Sequence, residues 1–249
     1  VVGSGDSVAS FDIASLLAAH RRSGAKVTMA LWEVEDPTEF GIVGLSESMG
    51  GEVDGGLRRG YIRRFLEKPS RQEAFSNVIN AGLYILEPEV FDHIPKGVKF
   101  DFSKQLFPML LEMKLPMYAQ TIDGVWFDVG QPFELINAQT TLMNRYDELP
   151  FSFPPTHQIT TSVLHERGVD VGENVERSVL GTGCHLHPGA QIVDSLLMDR
   201  CSVGDGARIN HCVLGRGVSV PQDVILEDCV VGDGALLQPG CEYRNQKIA

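Results

Sequence analysis

The hydrophobic and polar positions in the last third of the chain repeat every seventeen residues. From Ser162 onward, five successive copies carry an apolar or aromatic residue at the second, eighth and fourteenth positions. The three series are Val163, Leu180, Leu197, Leu214 and Val231; Val169, Leu186, Val203, Val220 and Leu237; and Val175, Ile192, Ile209, Leu226 and Tyr243. Steps of six, six and five residues predict three strands in each turn of a triangular prism, with one apolar side chain of each strand inside.

Glycine recurs in the same copies, in two further series. They comprise Gly172, Gly189, Gly206 and Gly240, and then Gly181, Gly215 and Gly232. We expect tight corners there, because glycine adopts positive φ without steric cost. The whole pattern resembles the hexapeptide repeat of left-handed parallel β-helices, and it predicts such a β-helix over residues 162–249. The repeat indicates a fold and no particular function.

The first 142 residues alternate between helical and strand periodicity. Helical spacing over residues 12–22, followed by Gly24, predicts a helix, and alternation over residues 26–34 predicts a strand. Further predictions are strands over residues 61–65 and 80–86, a hairpin tip over residues 46–60 and an amphipathic helix over residues 102–113. Strands that alternate with helices favour an α/β domain with a mixed, partly Rossmann-like sheet.

A proline-rich segment separates these two regions. Residues 143–161 contain Pro150, Pro154 and Pro155, together with Phe151 and Phe153. Because proline interrupts both helices and sheets, we expect a linker that partly packs. The predicted organisation is an α/β domain over residues 1–142, a linker over residues 143–161 and the β-helix over residues 162–249.

The overall charge and the cysteines narrow the class of protein. A formal net charge of -12 argues against non-specific binding to nucleic acid or to anionic membranes, which requires a basic surface. The first residues have neither the basic start nor the apolar core of a secretory signal. The five cysteines form no CxxC pair, so no zinc site is expected, and an odd number favours reduced thiols in the cytoplasm.

Four short motifs in the α/β region place polar groups where strands are predicted to end. They are Gly5-Asp6, Glu67-Lys68, Asn80-Ala81-Gly82 and Trp126 with Asp128. Ligands bind at such strand ends in open α/β sheets. Each motif taken alone also has a plain structural explanation: a turn aspartate, a solvated ion pair, a buried amide bonded to backbone, and a strand end with a packed tryptophan.

The order of the motifs along the chain favours a functional explanation over the structural ones. The segments VVGSGD, EDPTEFGIV, IRRFLEKPS, NVINAGLYIL and GVWFDVGQP follow one another along the chain. From residue 1 to about residue 140 this series resembles the sugar-1-phosphate nucleotidylyltransferases. The segments AAHRRSGAKVT, NVINAGLYIL and FDVGQP are similar to the GDP-mannose pyrophosphorylase (mannose-1-phosphate guanylyltransferase) branch.

The resemblance implies a reaction in which a hexose 1-phosphate, here mannose 1-phosphate, attacks the α-phosphorus of a nucleoside triphosphate, here GTP. The products are a nucleotide sugar and pyrophosphate. The roles it implies are Mg²⁺ held by Asp6 and Asp128, the sugar phosphate neutralised by Lys68, hydroxyls bonded by Glu67 and Asn80, and a pocket formed by Gly41, Ala81, Gly82 and Trp126. Charge neutralisation would then dominate catalysis by Asp6, Lys68 and Asp128.

Two departures from the family pattern stand out. The family carries a glycine-rich loop, with an arginine and a later lysine, that cradles the triphosphate, and nothing in this chain matches it. Its place would lie upstream of Val1, so we expect this chain alone to be inactive. Ser4 also stands where relatives often carry asparagine.

Two other functions fit parts of the sequence. Left-handed β-helices often carry acyl transfer with a histidine base, and His185, His187 and His211 lie in the repeat region. We expect these histidines to be outward corner or face residues. A non-catalytic regulatory subunit of a related complex would keep both domains. Whatever the function, the exposed edges of a short β-helix favour a homo-oligomer, and a dimer, a tetramer or a hetero-complex would each fit.

Overall fold

The computed structural model describes residues 1–149, 155–160 and 162–249. These residues form two compact units, Val1–Trp126 and Phe127–Ala249. Residues 150–154 and 161 of the predicted linker lie outside the described residues, and Pro150, Phe151, Phe153 and Pro154 are among them. None of the helices in the described ranges is both long enough and apolar enough to cross a bilayer.

The first unit contains a mixed sheet. Its strands are β1 (Val2–Gly3), β2 (Ser7–Ser10), β3 (Val27–Glu33), β4 (Gly41–Ser46), β5 (Arg59–Glu67), β6 (Val78–Leu86), β7 (Met117–Thr121) and the start of β8 (Val125–Asp128). Six of them form one sheet in the order β1-β6-β3-β7-β5-β4. The β3–β7 pair is parallel and the other pairs are antiparallel, which confirms the predicted mixed sheet.

Helices cover both faces of this sheet. The helix α1 (Ile13–Ser23) starts at Asp12, whose carboxylate accepts hydrogen bonds from two amides of the first turn, and ends at Gly24 with φ 64°. Along β3 the side chains alternate, so that Ala30 packs with α1 while Leu31 packs on the opposite face. The predicted helix over residues 12–22 and strand over residues 26–34 are both confirmed.

The predicted helix over residues 102–113 begins with a π-helical turn. Phe102–Leu106 is π-helical, and α2 (Phe107–Glu112) continues it as an α-helix; a 3₁₀ turn, Pro88–His93, precedes both. Pro108 lies at the junction, where it has no amide hydrogen to donate and its ring would crowd the carbonyl four residues earlier. The wider π turn accommodates it, because the amides of Leu106 and Phe107 bond five residues back to Asp101 and Phe102.

The second unit is a parallel β-helix preceded by a helix. It contains α3 (Pro132–Asn144), which has no counterpart among the predicted elements, a 3₁₀ turn over Tyr146–Glu148 and the strands β9 (His157–Thr160), β10 (Val163–Glu166), β11 (Val175–Glu176), β12 (Ser178–Leu180), β13 (His185–Leu186), β14 (Gln191–Val193), β15 (Leu196–Leu197), β16 (Ser202–Val203), β17 (Arg208–Asn210), β18 (Val213–Leu214), β19 (Ser219–Val220), β20 (Ile225–Glu227), β21 (Val230–Val231), β22 (Glu242–Arg244) and β23 (Lys247–Ile248).

Three sheets form the faces of the predicted prism. They have the orders β23-β21-β18-β15-β12-β10-β9, β11-β14-β17-β20-β22 and β13-β16-β19. Residues seventeen apart are register partners, as in Leu180 with Leu197 and Leu197 with Leu214. The repeat prediction is therefore confirmed. One strand departs from it: β9 lies within the predicted linker and pairs antiparallel with β10.

The first coil differs from the predicted register. Val171, and not Val169, packs against the β-helix core. The amide of Val169 bonds to the Glu166 carbonyl, and Gly168 has φ 89°, so the chain turns here and makes no strand on this face. The core also contains a column that the pattern did not predict, with Cys184 and Cys201 stacked in successive coils.

The expectation for the corner glycines was wrong in part. Positive φ occurs at Gly172 and its equivalents Gly206 and Gly240, as expected, but not at Gly181, Gly189, Gly215 or Gly232. A Cβ atom on Gly181 would lie 2.6 Å from the backbone nitrogen of Asp199, and one on Gly215 would lie 2.6 Å from that of Asp233. These glycines therefore leave room for the next coil.

Candidate active site

The first unit brings most of the predicted site residues into one connected group. Backbone pairing, hydrogen bonds and ring contacts link Gly41, Glu67 and Lys68 to Trp126, then to Asn80, Ala81 and Gly82, and finally to Asp6. Asp128 belongs to the second unit.

Glu67 lies directly over Gly41. The two residues are register partners across β4 and β5, and a Cβ atom on Gly41 would come within 2.7 Å of Glu67 Oε2 and 2.6 Å of Phe65 Cζ. Only glycine fits at this position without displacing one of these side chains. Within the described ranges no group makes a hydrogen bond or ion pair with the half-buried Glu67 carboxylate, so this acceptor is available to a ligand.

Lys68 follows Glu67 in a left-handed backbone conformation. Its φ is 47°, and its amide donates a 3.0 Å hydrogen bond to the carbonyl oxygen of Phe40. Its side chain is 61% exposed, and the ammonium nitrogen lies 3.5 Å from a carboxylate oxygen of Glu39. An exposed pair of this kind contributes little to stability, so the charge of Lys68 can turn to a ligand at small cost.

The loop before Gly41 is held by Asp36. One oxygen of its carboxylate accepts hydrogen bonds from the Thr38 hydroxyl at 2.8 Å and the Thr38 amide at 3.1 Å, and the other pairs with Arg71 at 2.6 Å. Hydrogen bonds from Thr38 first, and from Arg71 second, lower the pKa of Asp36 to about 2. The aspartate of the EDPTEFGIV segment thus orders the turn that leads to Gly41.

Trp126 connects the two sides of the group. Its indole Nε1 donates a 2.8 Å hydrogen bond to the carbonyl oxygen of Ala81. Its ring meets Phe40 edge-on, with centroids 5.9 Å apart, and Trp32 at 6.3 Å. All three rings are half-buried. Sequence reasoning missed Trp32 and Phe40, although Phe40 lies beside Gly41 in a motif that had been recognised.

Asn80 is bonded by protein groups. Its Oδ1 accepts a 3.0 Å hydrogen bond from the Gly82 amide, and its Nδ2 donates to the hydroxyls of Tyr84 at 2.8 Å and Ser103 at 3.4 Å. Both amide hydrogens are therefore engaged, and only a lone pair of Oδ1 is left for a ligand. Burial raises the pKa of Tyr84, so its hydroxyl stays protonated. Tyr84 and Ser103 are further residues that the sequence did not reveal.

Gly82 contacts the first loop of the chain and anchors it through Ser4. It has φ 74°, and a Cβ atom on it would lie 3.0 Å from Ser4 Cβ. The Ser4 amide donates a 2.8 Å hydrogen bond to the Gly82 carbonyl, and the Ser4 hydroxyl donates a 2.5 Å hydrogen bond to Oδ1 of Asp6. Asp6 is exposed and its Oδ2 stays open to solvent-borne ligands.

The two predicted metal ligands have compatible chemistry. Asp128 is exposed at the end of β8 and accepts a 3.2 Å hydrogen bond from the Gly130 amide at Oδ1. Like Asp6, it keeps carboxylate lone pairs for a cation, and Mg²⁺ prefers such oxygen ligands. No group of three or more histidine, cysteine, aspartate or glutamate residues in the described part of the chain could hold a metal ion.

The histidines of the β-helix differ from one another. His185 and His187 are exposed, as expected. His211 is half-buried; its ring stacks on Phe133 of α3 at 4.8 Å, and its Nδ1 lies 2.6 Å from a carboxylate oxygen of Asp228. His211 therefore helps to attach α3 to the β-helix.

Cavities occur away from the predicted residues. One of about 600 Å³ in the first unit lies between β5 and the end of α2, with Tyr61, Arg63, Leu111 and Met117 in its lining. Another of about 400 Å³ in the second unit lies beside α3, with Thr140, Asp194 and His211 in its lining. Neither of these two linings contains a predicted site residue other than His211.

Comparison with known proteins gives two family matches. The family described as "Nucleotidyl transferase" matches residues 1–145, and "GlmU-like, C-terminal hexapeptide" matches residues 155–232. Curated relatives include a UTP--glucose-1-phosphate uridylyltransferase of Synechocystis sp., 29% identical over 87% of this chain and 59% of its own length. A probable mannose-1-phosphate guanylyltransferase 2 of Arabidopsis thaliana is 28% identical over 85% of this chain and 50% of its own length.

A glucose-1-phosphate adenylyltransferase of Acetivibrio thermocellus is 28% identical over 86% of this chain and 53% of its own length. The chain thus spans between 50% and 59% of the length of these relatives. Their names cover three nucleotides and two sugars, while all of them describe the same type of transfer. The "Nucleotidyl transferase" match covers more than half of the residues of this chain. The chain therefore belongs to the nucleotidyl transferase family that contains the sugar-1-phosphate nucleotidyltransferases.

Proposed function

We propose that this chain supplies the sugar-phosphate side of a sugar-1-phosphate nucleotidyltransferase. The observation that carries the proposal is the Glu67 carboxylate, which lies over Gly41 and has no hydrogen-bond or ion-pair partner among the described residues. The exposed Lys68 follows it directly in the chain. A hexose 1-phosphate offers hydroxyl donors for the first group and a phosphate dianion for the second. The aromatic group of Trp126, Phe40 and Trp32 forms an apolar wall beside them.

The residues then have separate tasks in the reaction. Lys68 would lower the charge of the sugar phosphate, and Glu67 and the free lone pair of Asn80 would accept hydrogen bonds from sugar hydroxyls. Asp6 and Asp128 would hold Mg²⁺, which supplies charge neutralisation at the phosphates when bound. These groups orient two anions for transfer, a process in which positioning and electrostatics dominate.

The finer proposal is mannose 1-phosphate as the sugar and GTP as the nucleotide. It is supported by the segments AAHRRSGAKVT, NVINAGLYIL and FDVGQP, and by the Arabidopsis thaliana relative. We further expect this chain to bind the sugar phosphate without turning it over, because no segment of it matches the family's glycine-rich triphosphate loop. A non-catalytic regulatory subunit would bind the sugar phosphate in the same way. Turnover by a longer form that contains the loop would distinguish an enzyme from such a subunit.

Tryptophan fluorescence tests the binding directly. The chain has two tryptophans, Trp32 and Trp126, and both lie in the proposed site. Titration with α-D-mannose 1-phosphate should give a saturable change, with α-D-glucose 1-phosphate binding more weakly. Lys68→Met should weaken binding about tenfold or more, as expected for a hydrogen bond to a charged group. Lys96→Met, at an exposed lysine of the same unit, is the matched control.

The proposal would be wrong if neither hexose 1-phosphate produced a saturable change. It would also be wrong if Lys68→Met and Lys96→Met bound both ligands equally well. Tighter binding of glucose 1-phosphate would remove the mannose assignment and leave the coarser function in place.

A further inference from the structure

A continuous hydrogen-bonded path runs from the interior of the first unit to the Asp6 carboxylate. It starts at the Tyr84 hydroxyl, passes through the Asn80 amide to the Gly82 backbone, and continues to Ser4. It ends with the Ser4 hydroxyl on Oδ1 of Asp6 at 2.5 Å. Each hydrogen bond joins described atoms, and covalent bonds within Asn80, Gly82 and Ser4 connect one hydrogen bond to the next.

The buried end of this path is rigid. Tyr84 is a core residue with 7% exposure, and its ring packs against Phe107 with centroids 5.0 Å apart. Because both hydrogens of the Asn80 amide are engaged by hydroxyls, the amide cannot rotate without losing two hydrogen bonds. Its Oδ1 is thereby aimed at the Gly82 amide, and it holds Gly82 at φ 74°.

The exposed end depends on a single side chain. The loop from Ser4 to Asp6 is exposed, and Ser4 is anchored to the Gly82 carbonyl through its backbone amide. The hydroxyl of Ser4 then engages one oxygen of Asp6 and leaves the other oxygen free. Without that hydroxyl, an exposed aspartate would sample several rotamers, and a cation would have to order it on binding.

We propose that Ser4 is a positioning residue, which orients the Asp6 carboxylate for a divalent cation and is itself anchored on the Asn80–Gly82 segment of β6. This inference rests on the proposed function, since it takes Asp6 as a metal ligand. In this role Ser4 contacts neither substrate nor the reacting atoms. It acts only by holding Asp6, so its loss should weaken cation binding and leave sugar-phosphate binding unchanged.

Binding of Mn²⁺ tests this without any turnover, because Mn²⁺ takes the same oxygen ligands and gives an electron paramagnetic resonance signal when free in water. Ser4→Ala should weaken the Mn²⁺ affinity of the whole chain about three- to tenfold, the range expected for one lost hydrogen bond. Ser4→Thr keeps the hydroxyl and should bind within about twofold of the unaltered chain. Ser7→Ala, in the same segment and with its Oγ near Gly82, is the matched control.

Asp6→Ala and the fluorescence titration separate the possible failures. If Asp6→Ala loses Mn²⁺ affinity and Ser4→Ala does not, the positioning role is overturned and the proposed function stands. If the unaltered chain binds no Mn²⁺, or Asp6→Ala binds it normally, the positioning role is overturned together with the metal assignment. The tryptophan titration with mannose 1-phosphate, run without any metal, then decides the proposed function by itself.

Discussion

Leu197→Ala should destabilise the β-helix by about 3 kcal/mol. Leu197 is fully buried and lies between Leu180 and Leu214 of the adjacent coils. Truncation removes favourable burial and leaves a cavity, and such changes cost about 2–5 kcal/mol in rigid cores. The site cannot collapse, because the amides of Gly181 and Met198 hold the coils in register through hydrogen bonds of 2.8 and 2.9 Å. We therefore expect the loss of stability to lie near the middle of that range.

Urea unfolding followed by circular dichroism measures this effect. With a slope of about 2 kcal/mol per molar urea, the midpoint should fall by about 1.5 M. Leu236→Ala is the matched control, since the same atoms are removed from a side chain that is 91% exposed, and its midpoint should move by less than about 0.3 M. Equal shifts in the two variants would refute the conclusion that residues at this repeat position carry the core.

Three further predictions concern the site, pH and the thiols. Gly41→Ala should displace the Glu67 carboxylate and reduce mannose 1-phosphate affinity at least about threefold, as read by tryptophan fluorescence; unchanged affinity would show that Glu67 is not used. The Asp36 carboxyl should titrate near pH 2 by NMR; because its folded pKa lies below the unfolded one, its contribution to stability is present above about pH 4 and is lost as the pH falls toward 2. Burial raises the pKa of Cys212 to about 12, so iodoacetamide at pH 8 should modify the half-exposed Cys241 first; rapid labelling of Cys212 in the native chain would contradict the burial.

Local chemistry made much of the first unit predictable. The helix α1 begins after the cap residue Asp12 and ends at Gly24, and alternating apolar and polar residues predict β3. These signals can be recognised because they depend only on neighbours in the chain. The π turn before α2 was missed, although its cause, Pro108, is visible in the sequence. A proline predicts that a helix is interrupted. Whether the chain breaks or forms a π turn depends on which carbonyl oxygens can accept hydrogen bonds from the nearby amides in the folded protein.

The candidate site was predicted only in part. Motif order predicts Gly41, Glu67 and Trp126 as site residues. The structure adds the physical reason for glycine at position 41, which is the pair of side chains from β5 that lie over it. The connection from Asn80 to Ser4 joins residues far apart in sequence. No local pattern encodes such a contact, because it exists only once β1 and β6 pair.

The sequence by itself determined the β-helix, since a repeat of seventeen residues places each apolar position over its equivalent in the next coil, and that stacking requires no information from elsewhere in the chain. Only the tertiary structure decided which glycines turn the chain and which make room, and which polar groups meet around Asp6, Glu67 and Trp126. The physical reason is the distance along the chain over which each feature is determined. Periodicity and capping depend on residues within a few positions of one another, whereas a site depends on which strands become neighbours in the fold.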